Sequence, residues 1–251
     1  MDAFLDFTDK TVLITGAASG FGEMLAIELS KRGAQLVLGD INTEGLEKVA
    51  GKLGDGVACL RCDVSVEADC EALAKLAVER FGGLDIAINN AGIAQPMAKS
   101  IDTTEKIVDQ QMDINVKSVV FGMKYQVPPM LEAGAGCILN VSSMAGLGGA
   151  PNSGIYAAAK HAVIGLTKTA ALEYGRKGVR VNAVCPFFTP TNIGGSLLKN
   201  DEVAEQLARG CPMKRLGKVE EIIAAMVMII SPNNSYMNGQ AIAIDGGVSA
   251  R

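Results

Sequence analysis

Tyr156 and Lys160 stand four residues apart in the run Tyr156-Ala157-Ala158-Ala159-Lys160. On a helix this spacing puts both side chains on one face, about 5–6 Å apart at Cβ. A free tyrosine, with a pKa near ~10, is a poor acid or base at neutral pH. A neighbouring ammonium favours the phenolate and lowers that pKa. The pair therefore suits moving a proton on and off a substrate oxygen, and Lys160 can also bond a ribose hydroxyl. Ser143 lies thirteen residues before Tyr156, just past an apolar run, where its hydroxyl can orient that oxygen. Tyrosine and lysine at this spacing also describe an ordinary amphipathic helix face, so the pair gains weight only beside other features.

Those features lie in the first half of the chain. Thr15-Gly16-Ala17-Ala18-Ser19-Gly20-Phe21-Gly22 follows an apolar strand and opens a helix. Glycines at 16, 20 and 22 allow a sharp turn and close approach of a pyrophosphate, which the helix N-terminus favours. Asp40 ends the second strand, twenty residues beyond Gly20. A carboxylate there can accept hydrogen bonds from both ribose hydroxyls of an adenosine half and would repel a 2′-phosphate. No Arg or Lys in the glycine loop or just after Asp40 would neutralise one, so the expected cofactor is NAD rather than NADP. Asp63-Val64 follows the third strand and could contact adenine, although an aspartate there also caps helices. Asn89, Ala91 and Gly92, in the run Asn89-Asn90-Ala91-Gly92 after the fourth strand, offer a wall of small residues against the cofactor.

The elements that must position these residues alternate. Apolar strands are expected at Thr11–Thr15, Gln35–Gly39, Val57–Arg61, Leu84–Ile88, Cys137–Val141, Val179–Val184 and Ala241–Ile244. Helices are expected at Gly20–Arg32, Thr43–Leu53, Val66–Phe81, about Thr104–Glu132, about Ile155–Arg176 and near Val219–Ile230. Near-continuous Val/Ile/Leu strands alternating with helices imply an α/β chain: a single-domain, Rossmann-like, doubly wound parallel sheet of about seven strands with helices on both faces. No composition break divides residues 1–251. The least regular stretch, about Pro186–Met213, follows a strand's carboxyl end and is expected to form a substrate-binding lid.

The chain resembles the short-chain dehydrogenase/reductase family over essentially its whole length. The matching motifs are Thr15–Gly22, Asn89–Gly92, Asn115 in the long helix, Ser143, and Tyr156–Lys160. The resemblance implies that Tyr156 is the acid/base and Ser143 steadies the substrate oxygen. It gives Lys160 the nicotinamide ribose and the lowering of the tyrosine pKa, and Asn115 a water in a proton relay. It selects Ser143 over its neighbour Ser142. It also implies that Pro186, Thr189 and Thr191 border the nicotinamide, and that spare apolar residues on the helices around Asn115 and Tyr156 pack against other subunits in a homotetramer. One departure stands out: the family's usual Pro-Gly after the sixth strand is here Pro186-Phe187, with a ring where backbone approach is close. Phe21 replaces a commoner Ile or Leu.

Together these residues predict reversible oxidation of a secondary alcohol to a ketone with NAD. The candidate pocket residues are Gln95, Met97, Met144, Leu147, Phe187 and Phe188, with no Arg or Lys among them, so the expected substrate is neutral or hydrophobic: cyclic, aryl or steroid-like. A 3-oxoacyl thioester reductase is the nearest alternative, with Asp40 against it because that reaction usually goes with NADPH. A non-catalytic NAD-sensing protein is a second, weakened by the intact Ser143, Tyr156 and Lys160.

Composition narrows the classes further. The net charge of −4 and the absence of a basic block argue against nucleic acid. The first seven residues carry acids where a signal peptide would carry bases. Ile222–Ile230 is far short of the ~20 apolar residues a membrane helix needs. A cytoplasmic protein is expected. The six cysteines read as reduced structural thiols: Cys59 and Cys62 fall on a strand, where residues three apart point to opposite faces and cannot share a metal. No metal is expected, and His161, the only histidine, reads as structural.

Overall fold

A computed structural model describes residues 3–191 and 200–250. Among them run seven strands: β1 Thr11–Thr15, β2 Gln35–Asp40, β3 Val57–Arg61, β4 Ile86–Asn89, β5 Gly136–Val141, β6 Val179–Pro186 and β7 Ala241–Ile244. The helices are α1 Gly20–Ser30, α2 Thr43–Ala50, α3 Glu67–Phe81, α4 Glu105–Met112, α5 Ser118–Ala133, α6 Gly154–Tyr174, α7 Asp201–Gly210 and α8 Val219–Ile230. The strands form one parallel sheet in the order β3-β2-β1-β4-β5-β6-β7. That is the doubly wound, Rossmann-like arrangement expected from the alternation of strands and helices.

Strand residues alternate between the two faces. Val12, Ile14, Leu36 and Leu38 join a core with Leu25, Leu29, Leu46, Ile222, Met226 and Ile230, which places α1, α2 and α8 on one face. Leu13 and Val37 join the other core, with Leu73, Val119, Val127 and Val163 of α3, α5 and α6. Strand order reverses between β1 and β4, so the crevice beyond their carboxyl ends opens at Thr15 and Asn89. Every candidate motif lies along that edge.

Two differences from the sequence reading bear on the site. The long helix about Thr104–Glu132 is not uniform: α4 and α5 are joined by a π-helical turn at Asp113–Lys117, centred on Asn115. Within the stretch read as irregular, α7 forms, with Asn200 Oδ1 accepting the Glu202 and Val203 N–H groups as its N-cap. The cap and the acidic first turn Asp201-Glu202 were visible in the sequence. Residues 192–199 of the predicted lid lie outside the described residues. Among the described residues no helix is long and apolar enough to cross a membrane, and all six cysteines are free. Cys59 lies on β3 and is exposed, whereas Cys62, expected on the same strand, falls one residue past its end and is buried.

Candidate active site

The glycine loop is shaped by its backbone. Gly16 and Gly20 have φ of +67° and +58°, a region L side chains rarely adopt. A Cβ on Gly16 would meet the Ala91 Cα at 2.9 Å, and one on Gly22 the Gly16 carbonyl oxygen at 2.1 Å. The loop is therefore pressed against the end of β4 and the start of α1. Asn90, which the sequence reading passed over, fastens it: its Nδ2 donates to the Thr15 and Gly16 carbonyls, while Thr15 Oγ1 accepts from the Asn90 and Ala91 N–H groups. Ser19, the N-cap of α1, makes no side-chain cap bond, which leaves the first-turn N–H groups for an anion. Phe21 packs against the core.

Asp40 is half-buried and spends one oxygen on the Ala18 N–H (2.9 Å) and the other on the Asn42 N–H (2.9 Å). Asp63 is turned into its own chain, Oδ1 accepting from Ser65 N and Oγ, while Val64 is buried. The carboxylate closes a turn with Ser65 and does not cap α3, whose N-cap is Val66. Asn89 is also directed inward. It exchanges hydrogen bonds with Gln126 and donates to Asn140, within a buried network that reaches Thr167.

Gly92 is where the second half of the site meets the first. A Cβ there would lie 2.7 Å from Asn115 Oδ1 and 3.5 Å from Lys160 Nζ. Asn115 itself is buried, its amide committed to the Ile93 N–H and carbonyl and to Gln111 Oε1. Those bonds use both N–H donors of the side chain. The π turn makes Asn115 a brace for the loop after β4.

The candidate acid/base group and its neighbours converge on α6. Ser143 follows β5 and is the N-cap of a short 3₁₀ turn, Met144–Gly146, its Oγ accepting from Ala145 N. Ser142 is buried and donates to the Lys160 carbonyl at 2.9 Å, so the two serines divide the work: Ser142 ties β5 to α6, and Ser143 faces Tyr156. The Lys160 Nζ sits 5.6 Å from the Tyr156 ring centroid and donates to the Val141 carbonyl at 2.9 Å. Burial lowers the Lys160 pKa from its ordinary value to about 8. The Tyr156 pKa is raised: burial outweighs the hydrogen bond from Ser143, which acts to lower it. This corrects the expected direction, because desolvation of the phenolate dominates and the ammonium is itself held toward Val141.

Pro186, the last residue of β6, is buried, and beyond it Phe187 and Phe188 form an edge-to-face pair, 5.1 Å apart at 86°. Thr189 is buried and donates to the Phe187 carbonyl; Thr191 lies over the glycine loop, its Cβ 3.6 Å from a Cβ built on Gly20. Thr191 thus approaches the glycine loop, and the Thr189 hydroxyl is turned to the Phe187 carbonyl. A cavity of about 140 Å³ is lined by Phe187 and Phe188 together with Cys211, Met213, Ile244 and Asp245, and by Arg215 and Glu221. The last two form a bidentate pair at 2.7 Å, so the cavity's guanidinium is already matched. Gln95, Met97, Met144 and Leu147 are not in its lining; Met97 and Leu147 are exposed, and Gln95 is buried beside α6. Of the six predicted pocket residues, Phe187 and Phe188 line this cavity. His161 Nδ1 pairs with the Ala157 carbonyl on its own helix.

Residues 16–249 match a family model described as enoyl-(acyl carrier protein) reductase. The chain is 38% identical to levodione reductase from Leifsonia aquatica, over 97% of this chain and 96% of that one. It is 37% identical to cyclohexanol dehydrogenase from an Acinetobacter species, over 98% and 97%. A crystal structure of 3-ketoacyl-(acyl-carrier-protein) reductase from Brucella melitensis, complexed with NADH, superposes with a TM-score of 0.91 at 33% identity, covering 96% of this chain and 99% of that one.

Proposed function

Since this chain belongs to the short-chain dehydrogenase/reductase family, we propose that it interconverts a neutral cyclic secondary alcohol and its ketone with NAD(H). The observation that carries this is the approach of Ser143, Tyr156 and Lys160 to one another at the sheet edge bordered by the glycine loop. The residues present fit a dinucleotide. The first turn of α1 lacks a side-chain cap, Gly16 and Gly20 turn the loop at positive φ with no side chain at either end, and Asp40 ends β2 where a ribose would lie. Bound nicotinamide supplies the hydride acceptor or donor. Everything else falls to the chain. Ser143 bonds the substrate oxygen and orients it. The Tyr156 hydroxyl gives a proton to that oxygen during reduction and takes it back during oxidation. Lys160 holds positive charge beside Tyr156 and bonds the nicotinamide ribose. Pro186 and Thr191 border the nicotinamide, and Ala91 and Gly92 wall it.

A carboxylate at Asp40, with no neighbouring Arg or Lys to receive a 2′-phosphate, supports NAD. The relatives named for levodione and cyclohexanol support a cyclic substrate. The internally paired Arg215 supports a neutral one. Thioester reduction has the 3-ketoacyl reductase structure in its favour. Six free thiols suit a reducing compartment, and the apolar groove between α5 and α6, lined by Val120, Val127, Leu131 and Leu166, suits self-association to a homotetramer.

The test follows NADH absorbance with cyclohexanol, a steroid alcohol and a 3-oxoacyl thioester as the substrate panel, for the wild type and Tyr156→Phe. Turnover of the cyclic alcohols, lost in Tyr156→Phe with NADH still bound, is the expected result. Turnover of the thioester alone, or undiminished turnover in Tyr156→Phe, overturns the reading.

A further inference from the structure

Gln95 reaches from the loop after β4 to the first turn of α6, where its Oε1 accepts the Tyr156 backbone N–H at 2.9 Å. Three features set this bond apart from incidental packing. First, Tyr156 is the third residue of α6, one of the positions whose N–H has no intrahelical partner and is ordinarily met by an N-cap side chain. The N-cap here, Ser153, makes no side-chain cap bond. The cap therefore arrives from sixty-one residues away. Second, an N–H donor requires an oxygen opposite it, which fixes the amide's orientation. Among the described residues Gln95 Nε2 is then buried with no partner, an arrangement native cores seldom keep without a functional reason. Third, the loop that carries Gln95 is rigidly held. Asn115 clasps Ile93 through both its N–H and its carbonyl, and Gln111 Nε2 donates to the Ala94 carbonyl at 3.1 Å. Further on, Ala98 N donates to the Asn152 carbonyl at 2.9 Å.

We infer that Gln95 is a positioning residue for Tyr156: it caps the first turn of α6 through the Tyr156 N–H and so sets the phenol relative to the cofactor wall at Asn89–Gly92. The chain of contact runs from the π turn through the Ile93–Ala94 backbone and the Gln95 amide to the tyrosine. Without the cap, the turn that carries Tyr156 is the end of α6 freest to fray. A misplaced proton donor slows the chemical step and leaves cofactor binding alone. This inference rests on the reading of Tyr156 as the proton-transferring group.

The experiment compares wild type, Gln95→Leu, Gln95→Glu and Tyr156→Phe as full-length proteins, with cyclohexanone and with NADH deuterated at the transferred position. Gln95→Leu removes the acceptor, and Gln95→Glu keeps an oxygen opposite the Tyr156 N–H. The expected result is a kcat on the order of 10-fold lower in Gln95→Leu, a larger primary deuterium isotope effect, an unchanged NADH Kd, and recovery of most of the kcat in Gln95→Glu. Circular dichroism and the thermal midpoint identify a variant that does not fold, in which case Gln95→Ala, equally without an acceptor, takes the place of Gln95→Leu. A folded acceptor-free variant with wild-type kcat and isotope effect overturns the inference. So does a loss that Glu leaves unrepaired. Full activity in Tyr156→Phe would instead overturn the reading of Tyr156, so the two failures are distinct.

Discussion

Asp40 and Ala18 are joined by a hydrogen bond of 2.9 Å, carboxylate to backbone N–H. The side chain expected to select the cofactor therefore also holds the loop that would carry its pyrophosphate. Asp40→Ala should weaken both functions at once. A charge-assisted hydrogen bond contributes about 1.5–3 kcal/mol, so NADH affinity should fall roughly 10- to 100-fold. NADPH affinity should fall less or rise, because the repelling charge has gone. Fluorescence titration with both nucleotides measures this; unchanged affinity for both removes Asp40 from the ribose site.

The raised Tyr156 pKa makes a prediction for the cofactor-free protein. Phenolate absorbance, taken as wild type minus Tyr156→Phe, should show no titration at this residue below about pH 10, the value of a free tyrosine. Ser143→Ala should push it higher still, since the Ser143 bond is the influence that lowers it. A phenolate signal between pH 7 and 9 contradicts the dominance of burial. At neutral pH the group is then protonated, the form that ketone reduction requires.

Lys160 carries a pKa lowered to about 8 by burial, against about 10.4 in an unfolded chain. Below pH 8 both states hold the proton and the burial penalty is fully present. Between pH 8 and 10.4 the folded protein releases its proton while the unfolded chain keeps it, so stability rises with pH. Relative to Lys160→Met, the wild type should gain up to about 3 kcal/mol across that window. Urea unfolding of both proteins at pH 7.5 and 10 tests the sign, and parallel pH dependences count against it.

The two adjacent serines should separate cleanly. Ser142 is buried, with its hydroxyl on the Lys160 carbonyl. Ser142→Ala should cost about 1 kcal/mol of stability with a modest change in kcat. Ser143→Ala should cost a similar ~1 kcal/mol through the lost Ala145 N–H cap but reduce kcat by on the order of 100-fold, within the range of a lost oxyanion donor. Reversed phenotypes would exchange their roles.

Phe187 stands where the family's glycine is usual, paired edge-to-face with Phe188. Phe187→Gly removes the ring from the 140 Å³ cavity and should widen it. The kcat/KM ratio of a bicyclic alcohol to cyclohexanol should rise, at a stability cost of about 2 kcal/mol for a half-buried ring. An unchanged ratio places Phe187 outside the substrate's path.

By itself the sequence determined the fold class, the strand sequence and the identity of the motifs. These are written in local terms: runs of Val, Ile and Leu, glycines at a strand's end, an i, i+4 pair. Such signals survive because strand and helix periodicity act over a few residues. Tertiary structure decided where each side chain spends its hydrogen bonds. Asn89 turns to Gln126 and Asn140, Asn115 clasps Ile93, and Gln95 caps a helix sixty-one residues away. It also reversed the expected shift at Tyr156, because spacing along a helix sets the distance to Lys160 but not how much water is excluded from the phenol. Pairing across long sequence separations and desolvation both arise only when elements pack, and neither leaves a local pattern in the chain.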